Sequence, residues 1–173
     1  MQPLLSIRNL GVQFSSQFSV GTAVRSASFD IQPGETLAVV GESGSGKTVT
    51  ALSIMGLVRK AGGTIANGSI IFRQDMQSEI DLVTASDAVL QSILGNEIAM
   101  IFQEPMTSLN PVFTVRDQIS EVLITHKKFS LAEAENQVLE VMRQVLIPEP
   151  ERRLNQYPHE LSGGMRQRVM IAM

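Results

Sequence analysis

Apolar positions change their spacing near the middle of this chain. In the first hundred residues they fall in short runs divided by turn residues, and later they recur every three or four positions. Residues 4–14 and 24–31 predict two β segments either side of a polar turn region, 15–22. Gln32-Pro33-Gly34-Glu35 has proline before glycine, the order of a tight turn. Residues 36–40 (TLAVV) lack polar alternation, which predicts a strand covered on both faces, as in a parallel α/β sheet. Residues 68–73 and 80–83 predict short strands around a polar stretch, 74–79. Residues 86–94 predict a serine-capped helix closed by Gly95. Residues 97–102 predict another apolar strand, stopped by Gln103-Glu104-Pro105.

Beyond that point the period becomes helical. Residues 114–127 place Val115, Ile119, Val122 and Leu123 at helical spacing. Ser130-Leu131-Ala132-Glu133 spells a capping box, and the helix behind it is expected to bury Leu131, Ala134, Val138, Met142 and Val145. Pro148 and Pro150 stop it. Ser162-Gly163-Gly164 opens a last helix through Arg166, Val169 and Met173.

The chemistry begins where the apolar run 36–40 meets Gly41-Glu42-Ser43-Gly44-Ser45-Gly46-Lys47-Thr48. A helix-compatible stretch follows to about residue 58, with Leu52, Met55 and Val58 on one face. Strand, glycine-rich loop and helix start form the context in which GxxxxGK[ST] holds nucleotide phosphates. The glycines let successive backbone N–H groups point at one anion, and the helix N-terminus adds partial positive charge there. Lys47 can reach the outer phosphates, and the Thr48 hydroxyl can ligate Mg²⁺.

Bulk properties narrow the partners. The formal net charge is −3, so the basic footprint of a nucleic-acid binder is missing. Cysteine is absent, which removes disulfides, thiolate chemistry and Cys-based metal sites. No apolar stretch approaches the length of a membrane span, and the N-terminus has no secretory pattern. The chain is expected in the cytoplasm, reaching a membrane only through a partner.

A second motif, Leu161-Ser162-Gly163-Gly164-Met165-Arg166-Gln167-Arg168, repeats the logic of the first: a hydroxyl and two glycine amides at a helix N-terminus make an anion site. With Gln103 between the two motifs, the chain resembles the ATP-binding cassette of ABC transporters over essentially its whole length. Residues 41–48 resemble the Walker A loop, Gln103 the Q-loop glutamine, and Leu161 to Gln167 the signature, worded LSGGMRQ. Phe14 resembles the aromatic residue that stacks on adenine. The wording FQEPMTSLNP from Phe102 and YPHEL from Tyr157 is similar to importer subunits for dipeptides, oligopeptides and glutathione.

The resemblance implies an α/β P-loop NTPase (RecA-like) core with an antiparallel β subdomain and a helical subdomain, truncated: a partial nucleotide-binding domain. Its expected parts are residues 1–104 (β and core), 105–157 (helical subdomain) and 158–173 (signature and helix). The implied nucleotide contacts are Phe14, Gly41, Glu42, Ser43, Gly44, Ser45, Gly46, Lys47, Thr48, Thr50, Gln103, Ser162, Gly163 and Gly164. Lys47 and Gln103 are the catalytic pair, and Thr48 and Gln103 the Mg²⁺ ligands. ATP and Mg²⁺ are the implied cofactors. The implied partners are a second cassette (homodimeric, heterodimeric or fused), transmembrane permease subunits and, indirectly, a periplasmic substrate-binding protein, with no nucleic acid. The setting is the cytoplasmic face of a bacterial inner membrane. Two other readings are a non-catalytic nucleotide-binding fragment and a soluble, non-transport ABC ATPase.

The chain departs from the family pattern after the signature. The apolar strand ending in Asp and the catalytic Glu do not follow, so the sequence reads as the N-terminal portion of a longer ATPase. Strands from the remainder would join residues 36–40, and without them an apolar edge is exposed to association. Positioning without a general base or the metal carboxylate loses most of the catalytic effect. The isolated 173-residue chain is therefore expected to turn ATP over very slowly, and a phosphate-release assay showing robust turnover refutes this.

Overall fold

The computed structural model describes residues 2–15, 19–74, 78–102 and 108–173. The chain divides into two compact units, Met1–Ala99 and Met100–Met173.

Alternation and β-branched residues make the first unit a sheet. Strands β1 (Leu5–Ser15), β2 (Val20–Ile31), β3 (Gly63–Arg73) and β4 (Glu79–Asp81) form one antiparallel sheet in the order β2-β1-β3-β4. The central strand β1 buries Ile7, Leu10 and Val12 against Ile70 of β3, with Val58, Leu82 and Ile93 closing the core. β2 is longer than residues 24–31 because backbone pairing with β1 carries the strand through polar positions such as Thr22. The turn at Gln32 forms as expected: the Glu35 amide donates to the Gln32 carbonyl at 3.1 Å, and Gly34 takes a φ of 75°. Helix α1 (Lys47–Ile54) leans Val49, Leu52 and Ile54 on this core, and α2 (Asp87–Ile93) starts at its Ser86 cap.

Two expected strands are not formed. Residues 36–40 are irregular, with Val39 51% and Val40 88% exposed. Residues 97–102 contribute only an isolated bridge, Leu94 to Ile98, and Ile101 and Phe102 are exposed. A strand exists through its ladder. Among the described residues no strand runs beside either segment, so apolar composition alone does not make one.

The second unit is helical. Helices α3 (Val115–Lys127), α4 (Leu131–Gln144) and α5 (Pro150–Arg153) precede a 3₁₀ turn (Pro158–Glu160) and α6 (Gly163–Ala172). Val115 and Ile119 of α3, Val138 and Met142 of α4, and Val169 of α6 form its core with Ile147 and Leu161. Both long helices begin with a capping box, Thr114 with Asp117 and Ser130 with Glu133. Hydrogen bonds from the Ser130 hydroxyl and amide hold the Glu133 carboxyl below its ordinary range. Leu131 departs from expectation. It is 73% exposed, because the first turn of α4 lies before the face that meets α3 begins at Ala134.

This packing sets a contrast in stability. Met142→Ala, at a fully buried position, should cost about 2–5 kcal/mol. Leu131→Ala should change stability by no more than about 0.5 kcal/mol. Denaturant titration of the two variants checks both.

Candidate functional site

In the first unit, the loop 41–48 is bent by its glycines and tied by its lysine. Gly44 and Gly46 take φ angles of 81° and 94°, in the left-handed region that side chains disfavour. A Cβ on Gly46 would lie 2.7 Å from the Ala23 carbonyl oxygen, so the loop meets the backbone of β2 directly. The Lys47 ammonium donates to the carbonyls of Gly41 (2.7 Å) and Glu42 (2.8 Å) and to Ser45 Oγ (3.4 Å). One cation thus closes the loop on itself.

Gly46 is the N-cap of α1 and offers no side chain to the first helical amides. Those donors are left for a ligand, and the helix dipole favours an anion there. Thr48 is exposed in the first turn. Thr50 is buried, its hydroxyl donating to the Gly46 carbonyl at 3.0 Å. Thr50 therefore stiffens the loop-to-helix junction from below.

Beside the loop lies a cleft of about 700 Å³, bounded by Gly44 to Lys47, Val39 and Val40, and one flank of β2 from Thr22 to Phe29. That volume falls in the range of small-molecule sites. Gly41, Glu42 and Ser43 complete the loop outside this lining. Phe14 lies elsewhere. It sits at the end of β1, half-buried, with its ring over Gly63 of β3, and does not line the cleft. Gln103 lies outside the described residues.

The second unit carries the other motif. Ser162 caps α6, its hydroxyl accepting from the Met165 amide at 3.3 Å. Gly163 and Gly164 are exposed, and a Cβ on either would meet open space. Their glycine character is therefore not required by packing within this unit. Arg166 donates from Nε to the Pro158 carbonyl at 2.6 Å and from a terminal nitrogen to the His159 carbonyl at 3.3 Å. Tyr157 and His159 stack with ring centroids 5.6 Å apart. His159 thus has a structural place before the motif.

The structure brings Lys47, Thr48, Thr50 and the loop glycines together in one unit, and Ser162, Gly163 and Gly164 together in the other. The β2 flank of the cleft was invisible to sequence reasoning, since strand residues there follow no ligand-binding spacing. The nearest signal would have been Arg25, a cation inside a strand pattern.

The profile of the family described as ABC transporter matches residues 24–173. The chain belongs to the ABC transporter family. Among curated relatives, it is 51% identical over 172 residues to the peptidoglycan transport ATP-binding protein YejF of Agrobacterium fabrum, covering 99% of this chain and 31% of that protein. It is 49% identical to the dipeptide transport ATP-binding protein DppD of Bacillus subtilis, covering 100% of this chain and 50% of that protein. It is also 49% identical to the glutathione import ATP-binding protein GsiA of Pectobacterium atrosepticum, with 98% and 27% covered. This ABC chain therefore spans about half or less of the length of these relatives. Among solved structures, the dimeric ATP-binding cassette MJ0796 bound to ADP and Pi matches with a TM-score of 0.82 at 25% identity, covering 97% of this chain and 67% of that one. The fold is thus that of a P-loop NTPase cassette, with an antiparallel sheet and a helical part. No helix among the described residues is long and apolar enough to cross a membrane.

The loop geometry makes a direct prediction. Gly46→Ala forces a Cβ against the Ala23 carbonyl at a φ of 94°, so the loop must shift. The expected cost is about 1–3 kcal/mol, read as a lowered denaturation midpoint of the first unit. Gly163→Ala, over open space, should leave the midpoint of the second unit nearly unchanged.

Proposed function

We propose that this chain is the nucleotide-binding part of an ATP-hydrolysing subunit that energises an importer for dipeptides, oligopeptides or glutathione. The observation that carries the proposal is the loop closed by Lys47, with uncapped helix amides beside it. In the resting loop the ammonium is held by two carbonyls, which are neutral acceptors. A β- or γ-phosphate oxygen is a stronger, charged acceptor, so an arriving polyphosphate draws Lys47 away from them. The amides of the bent loop and of α1 then surround the phosphates without further reorganisation, which is the preorganised charge stabilisation that phosphoryl transfer needs.

Mg²⁺ suits this donor set: the exposed Thr48 hydroxyl offers a hard oxygen ligand, and phosphate oxygens and Gln103 would complete it. When bound, the ion neutralises charge developing on the β- and γ-phosphates. Among the described residues no cluster of three His, Asp or Glu side chains competes for a metal.

The second motif fits a role in trans. Gly163 and Gly164 face open space within their own unit, so their small size serves a close approach from outside. We read that approach as the nucleotide of a second cassette. Each ATP then lies between the Lys47 loop of one cassette and Ser162-Gly163-Gly164 of its partner, and hydrolysis removes the anion that joins them. Phe14 is proposed as an adenine-side residue, and Gln103 as the link between nucleotide state and the helical subdomain. Residues 1–104, 105–157 and 158–173 are the proposed β-and-core, helical and signature parts. The names of the dipeptide and glutathione relatives support a peptide-class substrate, and the proposal extends to permease partners and a position on the cytoplasmic membrane face.

Lys47→Ala in the full-length protein should weaken ATP binding at least tenfold, since a hydrogen-bonded charge contact contributes about 1.5–3 kcal/mol. Titration with a fluorescent ATP analogue measures this. Unchanged affinity would remove the nucleotide site from the loop and the proposal with it.

A further inference from the structure

The wall of the cleft opposite the phosphate loop is supplied by β2, and it carries a charge that the phosphate-loop motif does not account for. Among the described residues, Arg25 and Lys47 are the charged ones lining the cleft, both are cations, and no carboxylate shares the lining. The other arginines of this unit are engaged. Arg8 is 2.7 Å from Asp30, Arg73 is 2.7 Å from Glu79, and Arg59 donates to the Val83 carbonyl. Among the described residues the Arg25 guanidinium has no hydrogen bond and no ion pair, and it is exposed toward the cleft.

The backbone explains how Arg25 reaches this wall. Leu10 of β1 pairs with Ala27, but Val12 pairs with Val24, so Arg25 and Ser26 together stand opposite the single Gly11. That is a β-bulge, the irregularity that re-aims one side chain without breaking the strand. Val24 stays buried in the core while its neighbour Arg25 is turned out. Ala23, two residues earlier, is the point where the β2 backbone touches Gly46. The bulge therefore sits directly beside the junction of the phosphate loop with α1.

We propose that Arg25 is a second phosphate-binding residue of this site, contacting the nucleotide's phosphates from the β2 side while Lys47 contacts them from the loop. The guanidinium fork matches a phosphate's oxygens and, among the described residues, has no protein partner to give up. A cleft with two cations and no carboxylate selects ligands by the number of negative charges they carry, favouring nucleoside di- and triphosphates over monophosphates. The assignment rests on the proposed nucleotide site and adds a specificity-determining residue to it.

The test is titration of the full-length protein with fluorescent ADP and AMP analogues, using Arg25→Lys, Arg25→Ala, Arg25→Glu and, as a control, Lys47→Ala. Arg25→Ala should weaken ADP binding about tenfold and AMP binding less. Arg25→Glu should be weaker still, and Arg25→Lys, which keeps the charge but loses the fork, should fall between the unmodified protein and Arg25→Ala. The thermal midpoint without nucleotide should not move, because the side chain has no partner to lose. Three results overturn the assignment: a loss for Arg25→Ala below about threefold, an equal loss for ADP and AMP, or a loss accompanied by a fall in that midpoint. If one of these results occurs while Lys47→Ala abolishes binding, the nucleotide site stands without Arg25. If Lys47→Ala binds as the unmodified protein does, the nucleotide site itself falls.

Discussion

Everything this chain can do with a nucleotide depends on a loop that is already bent before any ligand arrives. Two constraints hold the bend. The Lys47 ammonium bridges the carbonyls of Gly41 and Glu42, and the absence of a Cβ at Gly46 lets the loop rest against the Ala23 carbonyl. On the proposed reading the first constraint is exchanged for a phosphate, and the second stays. A loop that reorganises little on binding keeps more of its interaction energy for the ligand. The same contact fixes β2 as the opposite wall of the cleft, and through β1 it ties the loop to the buried core of Ile7, Leu10 and Val12.

The two glycine motifs are alike in local chemistry and different in what surrounds them. Around Gly46, small size is demanded from within, by a backbone oxygen 2.7 Å from where a Cβ would stand. Around Gly163 and Gly164 nothing in their own unit makes that demand, while Arg166 and the Ser162 hydroxyl hold the motif in shape at the start of α6. One glycine is crowded by its own unit, and the other two are exposed. That asymmetry supports the proposal of a nucleotide shared between two cassettes.

The helical unit owes its order to caps and one apolar seam. Thr114 and Ser130 each close a capping box, which starts α3 and α4 at defined residues and so sets which faces meet. Val115, Ile119, Val138 and Met142 then fill the seam between them. Leu131, one residue inside the cap, falls before that seam and stays in solvent.

Local signals were enough for much of this. The turn at Gln32, the capping box at Ser130, the seam of α4 and both glycine motifs were legible because each depends on residues within a few positions of one another. Residues 36–40 and 97–102 were misread as strands, since a ladder partner is a non-local fact and apolar composition cannot supply one. The bulge that turns out Arg25 and the carbonyl that crowds Gly46 were equally invisible, because each arises where β2 meets a segment distant in sequence. By itself, then, the sequence determined the glycine-rich loop with its lysine and the helix that follows it. Tertiary structure alone decided which strand faces that chemistry and which apolar segments go unpaired, because register and close approach depend on contacts between residues far apart along the chain.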